Sequence, residues 1–393
     1  MAKLSVKDLD LAGKRVFLRV DFNVPFDENL NIGDDTRVRA AVPTIEYIIE
    51  KGGIPIIASH LGRPKGKVDA KLSLEPVAHR LEMLLDREVR FARDCVGDEV
   101  KKLAAELRPG DVLLLENLRF HIEETKNDEN FARELASLAD LYVNDAFGAA
   151  HRAHASVEGI TRNFAEPAAG FLMEKELGYL DRAMADPKRP LIAIIGGAKV
   201  STKIGVIRNL LATVDRLIIG GGMCFTFYKA KGFAIGKSLC ENDLLNEAQV
   251  ALDNPKLYLP VDVLVAKDAE TGGLTHTVAA DAIPDDMAGV DIGAKSVANI
   301  IDFLKGAKTI VWNGPMGIFE IAAFAKGTEF VAKAVAAATK AGAVSIVGGG
   351  DTISALKKFN LTDSVSHAST GGGASLEYLE GKELPGIKAL KEK

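Results

Sequence analysis

The feature that most limits the fold of this chain is the alternation of short apolar runs with longer segments of helical periodicity. The apolar runs are continuous and rich in Val, Ile and Leu, which is typical of strands covered on both faces. We predict strands at residues 16–20, 54–58, 112–115, 141–143, 191–195, 217–219, 257–265, 309–312 and 343–347. We predict helices at residues 100–107, 131–138, 203–211, 330–340 and 352–359. This alternation predicts an α/β fold with parallel sheets and right-handed crossovers.

The length of the chain indicates more than one domain. A single hydrophobic core rarely serves 393 residues, so two domains are expected. Residues 174–190 have the pattern of a charged helix that ends at Pro187 and Pro190. We therefore predict an N-terminal domain at 1–173, a hinge helix and linker at 174–190, and a C-terminal domain at 191–376. Residues 377–393 form a charged tail whose packing the sequence leaves open, including a return to the first domain.

Composition excludes several classes of protein. The net charge of −5 argues against a nucleic-acid partner, because such proteins usually carry a broad basic surface. The three cysteines show no metal-ligand spacing and are expected to be reduced, mostly buried thiols. The N-terminus lacks a secretory signal, and no uncharged apolar run reaches 18 residues. We expect a cytoplasmic protein with no membrane segment.

The predicted strands of the first half are followed by arginine, histidine, asparagine and aspartate. Ligands of open parallel sheets bind beyond the carboxyl ends of the strands, so these segments are the first place to look for a site. The segments are DFNVP at 21–25, SHLGRP at 59–64, ENLRFH at 116–121 and NDAFGAAHRAH at 144–154. Guanidinium groups in such numbers suit a small, highly charged anion, such as one molecule carrying both a phosphate and a carboxylate.

The predicted strands of the second half are followed by glycines instead. The segments are GGAK at 196–199, GGG at 220–222, NGPMG at 313–317, GGGDT at 348–352 and TGGG at 370–373. Glycine lets backbone N–H groups approach a phosphate closely, and a helix N-terminus favours negative charge. These turns therefore predict a site for a nucleotide polyphosphate.

Other patterns are weaker. Residues 232–238, GFAIGKS, resemble a phosphate-binding loop of the Walker A type but have three residues between the glycines instead of four, so we reject that interpretation. His151 and His154 lack a third metal ligand nearby, and we expect them to hydrogen-bond within the site wall. The next residues read as core packing behind a glycine turn and not as a cofactor site: Met223, Cys224, Phe225 and Phe227.

Two other functions compete with phosphoryl transfer. An NAD-dependent dehydrogenase would use a similar sheet, but the G-x-G-x-x-G fingerprint does not follow the first strand. A non-catalytic, two-lobed anion-binding protein would explain the arginines but not the glycine turns.

Together, the motifs resemble those of the phosphoglycerate kinase family. In the first half they are RVDFNVP at 19–25, HLGRP at 60–64, ENLRFH at 116–121 and AHRAH at 150–154. In the second half they are GGAKV at 196–200, WNGPMG at 312–317, GGGDT at 348–352 and GGGAS at 371–375. The resemblance covers essentially the whole chain, in the family's order, and the set of motifs is far more specific than any one of them.

The resemblance implies an architecture and a reaction. The fold would be two Rossmann-like, three-layer domains with mostly parallel sheets, joined by a hinge helix, with a cleft between them. The reaction would be the reversible transfer of the acyl phosphate of 1,3-bisphosphoglycerate to Mg-ADP, giving 3-phosphoglycerate and ATP, in line and after hinge closure. The partners would be these small molecules and Mg²⁺, with a monomer expected, no nucleic acid and no membrane.

The resemblance also implies roles for individual residues, by their position in the matched motifs. The acid would be bound by Asp21, Phe22, Asn23, Arg37, Ser59, His60, Leu61, Gly62, Arg63, Arg119 and Arg152. The nucleotide would be bound by Lys203, Gly220, Gly221, Asn313, Glu320, Gly349, Gly350, Asp351 and Thr352, with Asp351 on magnesium. The transferring phosphoryl group would be met by Arg37, Lys199, Gly371 and Gly372. Arg37 follows Asp34, Asp35 and Thr36, which predict a helix N-terminus.

Overall fold

The structure is a computed structural model that describes residues 3–271 and 273–393. The chain divides into two compact units. The first unit comprises the residues up to Leu177 together with Glu383–Lys393, and the second comprises Gly178–Lys382.

The first unit is built on a six-stranded parallel sheet. Its strands are β1 (Arg15–Arg19), β2 (Ile54–Ala58), β3 (Arg90–Ala92), β4 (Leu113–Leu115), β5 (Leu141–Asn144) and β6 (Ala168–Ala169). Their order across the sheet is β3-β4-β2-β1-β5-β6. Arg19, at the end of β1, is level with Ala58 of β2 and Asn144 of β5, so three carboxyl ends meet at one edge.

Helices cover this sheet. They are α1 (Thr36–Glu50), α2 (Glu75–Leu85), α3 (Asp98–Glu106), α4 (Ile122–Lys126), α5 (Glu129–Ala136) and α6 (Phe171–Met184), which continues into the second unit. Short 3-10 helices lie at Val6–Asp8, Ala70–Leu72, Leu118–Phe120, Phe147–Ala149 and Gly159–Asn163. Val16 and Leu18 of β1 share an apolar cluster with Ile45 and Ile48 of α1, while Phe17, between them, stacks on Tyr142. Successive residues of β1 thus bury opposite faces, as the continuous apolar run predicted.

The second unit contains another six-stranded parallel sheet and a smaller antiparallel one. Its strands are β7 (Leu191–Ile195), β8 (Arg216–Ile219), β9 (Leu257–Tyr258), β10 (Asp262–Ala266), β11 (Thr275–Ala279), β12 (Ala288–Ile292), β13 (Thr309–Asn313), β14 (Val344–Gly348) and β15 (His367–Ala368). The parallel order is β15-β14-β13-β7-β8-β9, and the antiparallel order is β11-β10-β12. The two large sheets confirm the predicted α/β class with mostly parallel strands.

The helices of the second unit connect and cover these strands. They are α7 (Ile204–Thr213), α8 (Cys224–Ala230), α9 (Leu245–Leu252), α10 (Ala294–Leu304), α11 (Lys326–Lys340), α12 (Gly350–Lys358) and α13 (Gly372–Leu379). Short 3-10 helices lie at Asn242–Leu244, Ala322–Phe324 and Thr362–Ser364.

One predicted strand was wrong. Residues 257–265 form two strands in different sheets, β9 in the parallel sheet and β10 in the antiparallel one. Pro260 lies between them and has no N–H to give to a sheet, while its carbonyl accepts a hydrogen bond from the Tyr228 hydroxyl at 2.8 Å. The antiparallel sheet as a whole was not predicted, because β11 is largely exposed and has no continuous apolar run.

Two further segments differ in detail from the expectations. The helix expected within residues 174–190 begins at Phe171 and ends at Met184, ahead of Pro187. At the other end of the chain, residues up to Leu379 belong to α13, and the tail that packs on the first unit begins at Glu383.

This tail is held by both backbone and side chains. It contains α14 (Pro385–Lys388), and the N–H of Gly386 donates to the Ala150 carbonyl at 2.8 Å. The N–H of Leu4 donates to the Lys391 carbonyl at 2.8 Å, so the two ends of the chain lie side by side. Leu384 and Leu390 are each only 2% exposed.

The three cysteines are free, as predicted, with Cys95 and Cys224 buried and Cys240 half-buried. Within residues 3–271 and 273–393, no helix combines the length and the apolar character that a membrane crossing requires.

Candidate active site

In the first unit, the turns after β1 and β2 are tied to each other by hydrogen bonds. The N–H of Phe22 donates to Ser59 Oγ at 2.8 Å, and the N–H of Gly62 donates to Asn23 Oδ1 at 2.9 Å. The N–H of Leu61 donates to Asn117 Oδ1 at 3.1 Å, which adds the turn after β4. The segments predicted to bind the acid therefore form one connected surface at the carboxyl edge of the sheet.

Arg37 joins this surface from the N-terminus of α1. The helix begins at Thr36, as predicted, and the N–H of Thr36 donates to Asp34 Oδ1 at 3.0 Å. One Arg37 Nη donates to the Asn23 carbonyl at 3.0 Å and lies 3.2 Å from the Asp21 carboxylate. Asp21 thus holds the guanidinium at the edge of the sheet, where about a third of the Arg37 side chain remains exposed.

Three of the predicted arginines line a single cavity of ≈ 350 Å³. They are Arg63, Arg119 and Arg152, and Lys65, Gly66, Ile122 and Thr125 complete the lining. Burial and the neighbouring charges of Arg19 and Arg152 lower the pKa of Arg119 to about 10, which still leaves it charged at neutral pH. Its Nε has no hydrogen-bond partner among the described residues. A cavity lined by three arginines and a lysine suits a compact anion.

His60 is buried beside Arg19, a residue that the sequence analysis did not assign to the site. Arg19 Nη2 lies 3.1 Å from His60 Nδ1, and both side chains are almost completely buried. Burial, with the charges of Arg19 and Arg119, holds the pKa of His60 well below its usual value, so the ring is neutral. The sequence did indicate a special role for Arg19, because it ends an apolar strand, and a charged side chain buried at such a position needs a specific partner.

Within the described residues, His151 and His154 belong to no group with metal-ligand geometry. Burial and the charge of Arg119 lower the pKa of His154 to about 3, and its Nδ1 lies 3.7 Å from Glu124 Oε1. Among the described residues, the group with metal-ligand geometry is a different one, Asp94, Cys95 and His121. There His121 Nε2 lies 2.7 Å from Asp94 Oδ1, which also accepts the N–H of Cys95 at 2.6 Å. Because Cys95 is buried and the three residues already contact one another, their proximity needs no metal ion to explain it.

In the second unit, two glycine turns pack backbone against backbone. The N–H of Gly196 donates to the Asn313 carbonyl at 2.9 Å, and the N–H of Gly197 donates to the Pro315 carbonyl at 2.9 Å. A Cβ at Gly196 would collide with the carbonyl oxygens of Pro315 and Gly314. Glycine is therefore required here by the close approach of the neighbouring turn, whereas the sequence pattern suggested the approach of a phosphate.

The buried side chain of Lys203 joins these two turns by hydrogen bonds. Its Nζ donates to the Gly196 carbonyl at 2.7 Å, to Asn313 Oδ1 at 2.8 Å and to the Asn313 carbonyl at 3.2 Å. It was predicted to line the nucleotide site, and its ammonium group lies at turns that include Asn313, another of the predicted nucleotide residues. Asn313 Nδ2, by contrast, is buried and has no hydrogen-bond partner in the described part of the chain.

The N-termini of two helices lie next to each other at the same edge. Gly349, with φ +90°, precedes α12, and a Cβ at Gly372, the first residue of α13, would lie 3.3 Å from Gly349 Cα. Asp351 is exposed in the first turn of α12, while Thr352 is buried and its Oγ1 accepts the N–H of Gly314 at 2.7 Å. The backbone N–H groups of two helix starts are therefore available to one anion.

A cavity of ≈ 360 Å³ opens beside these turns. Of the predicted nucleotide residues, Gly221, Glu320 and Asp351 line it. Gly220 and Gly349 lie in turns after strands, Asn313 ends β13, and Gly350 and Thr352 lie in the first turn of α12. Lys199 is exposed on the turn between β7 and α7.

The apolar wall of this cavity was not predicted. It includes Phe225, Tyr228, Leu239, Val263, Pro315 and Ile318. Cys224 and Phe225, interpreted as core packing, are indeed buried but also line the cavity. Lys237 of the rejected Walker-like segment lines it too, although that segment follows α8 and not a strand. The wall escaped prediction because much of it comes from α8 and from the unpredicted antiparallel sheet.

The environment of Lys203 predicts a pH dependence of stability. Burial lowers its pKa from 10.5 to about 8, so the folded chain releases this proton near pH 8 while the unfolded chain keeps it until about pH 10.5. Between these values the unfolded state binds more protons, and the free energy of unfolding rises with pH. We predict that this rise is lost in Lys203→Met, as measured by urea unfolding across the pH range.

The control is Lys308→Met, which removes an exposed lysine from the same unit and keeps the rise. A difference between the unchanged chain and Lys203→Met that stays constant or falls with pH would contradict the burial argument.

Comparison with known proteins identifies the family. The family model described as phosphoglycerate kinase matches residues 6–382. A phosphoglycerate kinase of Moorella thermoacetica is 57% identical over 398 residues, with 100% of both chains covered. A cytosolic phosphoglycerate kinase of Triticum aestivum is 56% identical over 390 residues, covering 98% of this chain and 97% of the relative.

The fold agrees with solved structures of the same family. The phosphoglycerate kinase of Coxiella burnetii superposes with a TM-score of 0.89 at 44% identity, covering 98% of each chain. That of Pyrococcus horikoshii gives a TM-score of 0.87 at 35% identity, again covering 98% of each chain. The match of sequence and fold over the whole length leads to one conclusion: the chain belongs to the phosphoglycerate kinase family.

Proposed function

We propose that this enzyme carries the acid on its first unit and the nucleotide on its second, and transfers the acyl phosphate of 1,3-bisphosphoglycerate to Mg-ADP reversibly. The observation that carries this division is the contrast between two cavities. One is lined by arginines at the carboxyl edge of the first parallel sheet, and the other is lined by glycine turns and an apolar wall in the second unit. The match to the phosphoglycerate kinase family argues against both alternatives, the NAD-dependent dehydrogenase and the non-catalytic anion-binding protein.

The chemistry requires charge compensation more than bond-making by side chains. In the ATP-forming direction the attacking oxygen of the β-phosphate is already ionised, and the leaving group is a carboxylate, so no general base is needed. Negative charge on the transferring phosphoryl group would be met by Lys199, by Arg37 and by the start of α13 at Gly371 and Gly372. Lys199 is exposed, and the guanidinium of Arg37 is about one third exposed beside Asp21, whereas Lys203 is buried and donates to oxygens of its own unit.

Mg²⁺ enters as part of the nucleotide substrate. Asp351 fits this role because its carboxylate is exposed and lines the nucleotide cavity, and hard cations prefer carboxylate oxygens. The ion would neutralise part of the negative charge of the nucleotide phosphates. Glu320, which also lines the cavity, is the candidate for the ribose hydroxyls.

We also propose that the enzyme is a monomer in the cytoplasm and acts without nucleic-acid partners. The absence of nucleic-acid partners is supported by the net charge of −5, and the cytoplasmic location is supported by plant relatives that are named cytosolic.

Lys199 provides the direct test of the catalytic assignment. Loss of one preorganised cation typically lowers turnover by about 10²-fold or more, so Lys199→Ala is predicted to lose at least about 10²-fold in kcat with its fold intact. The measurement is ATP formation from 1,3-bisphosphoglycerate and ADP by the purified chain, with circular dichroism as the check on folding. Lys308→Ala, at an exposed lysine of the same unit, serves as the control.

An unchanged chain that forms no ATP in this assay would refute the proposed reaction. Turnover of Lys199→Ala within a few-fold of normal would remove Lys199 from the mechanism but leave the reaction in place.

Transfer also requires closure about the hinge segment 174–190, because each ligand belongs to a different unit and water must be excluded. We predict that 3-phosphoglycerate and a non-hydrolysable ATP analogue together reduce the radius of gyration in solution scattering, and that neither alone gives the full reduction. The same radius with and without both ligands would count against closure.

A further inference from the structure

A carboxylate is buried directly behind the arginine-lined cavity. Glu124 of α4 has a completely buried side chain, while Ile122 and Thr125 of the same helix line the cavity. Its two oxygens accept hydrogen bonds from one residue. Ser156 donates its backbone N–H to Oε2 at 2.9 Å and its hydroxyl to Oε1 at 2.7 Å. Since an ionised group is costly to bury, such a carboxylate needs a compensating charge nearby.

The compensating charge is Arg19, reached through the Ser156 hydroxyl. Arg19 is also completely buried, and its Nε donates to Ser156 Oγ at 2.8 Å. A guanidinium group can only donate, so the single proton of the hydroxyl must point to Glu124 while its lone pair faces Arg19. The hydrogen bonds between the two buried charges therefore run in one fixed direction.

The chain of hydrogen bonds continues to His60. Arg19 Nη2 lies 3.1 Å from His60 Nδ1, and because Arg19 donates, Nδ1 must be the accepting nitrogen of a neutral ring. The remaining ring proton is then on Nε2. One tautomer of His60 is thus selected by an arginine that is itself oriented by a serine and a glutamate.

We infer that Glu124 and Ser156 are positioning residues for the acid site, which orient Arg19 and thereby keep His60 as an Nε2–H donor for the bound acid. The inference rests on the proposed function in one respect, namely that His60 contacts the acid. The hydrogen-bond chain itself involves only the free protein.

A purely electrostatic role for Glu124 makes the opposite prediction for substrate affinity. If its charge only weakened the positive potential of the cavity, then Glu124→Gln would strengthen binding of the anionic acid. If Glu124 orients Arg19, then Glu124→Gln weakens binding, because the donor geometry is lost although the potential has become more positive. The sign of the change in KM separates the two roles.

The experiment compares Ser156→Ala with the unchanged full-length chain. Nuclear magnetic resonance of ¹⁵N-histidine-labelled protein without ligands reports the tautomer of His60, whose signals are assigned with His60→Gln. We expect a single Nε2–H tautomer in the unchanged chain and a mixture of tautomers in Ser156→Ala. The KM for 3-phosphoglycerate should rise about tenfold, as for one lost hydrogen bond to a charged group, while the KM for ATP stays constant.

Thr161→Val is the matched control, because Thr161 has a buried hydroxyl in the same unit that, within the described part of the chain, bonds only the Glu158 carbonyl, at 2.7 Å. It should alter neither readout. If Ser156→Ala does not fold, Glu124→Gln gives the same two readouts, with a raised KM for the acid as the supporting result.

Three outcomes would overturn the inference. One is a single His60 tautomer in both variants, whatever happens to KM. Another is a lowered KM for the acid in Glu124→Gln. The third is a mixed tautomer with an unaltered KM, which removes His60 from the acid site although the hydrogen-bond chain exists. None of the three affects ATP formation by the unchanged chain, so the proposed reaction is judged separately.

Discussion

Parallel pairing of strands is the constraint from which the rest of this structure follows. When every strand of a sheet runs in the same direction, every turn that leaves a carboxyl end lies at one edge. In the first unit this brings together residues far apart in sequence, such as Arg19, Ser59 and Asn144, at strand ends that share one register. In the second unit the same rule collects the turns at Gly196, Asn313 and Gly348. The chemistry of each edge then depends only on which residues occupy the turns.

Under the proposed function, the two edges would bind anions in different ways. The first uses side-chain charge and must compensate it when it is buried, so that Arg37 pairs with Asp21, and Arg19 faces Glu124 across a hydroxyl. The second uses backbone N–H groups at helix starts, which carry no net charge and need no counter-ion. This second arrangement is limited by steric contacts, because the turns at Gly196 and Gly314 approach so closely that neither residue can carry a Cβ.

Much of the fold and of the site could be predicted because the signals were local. Continuous apolar runs located both large sheets, and the polar or glycine-rich segments after them located both edges. The antiparallel sheet could not be predicted, because β11 has no apolar pattern and Pro260 divides an apparently single strand. The apolar wall of the nucleotide cavity and the pairing of Arg19 with Ser156 and Glu124 depend on contacts between distant segments. The hydrogen bonds of Lys203 to Gly196 and Asn313 could not be predicted either, since sequence position does not show which protein oxygens an ammonium group contacts.

The meeting of the two chain ends has a consequence for biosynthesis. A ribosome makes most of the first unit before it begins the second, yet Leu384 and Leu390, which are buried residues of the first unit, are made only after the second unit. Until then the carbonyl of Ala150 has no Gly386 to accept from, and the surface that the tail covers is open to water. The first unit can therefore be completed only after the second unit has been translated.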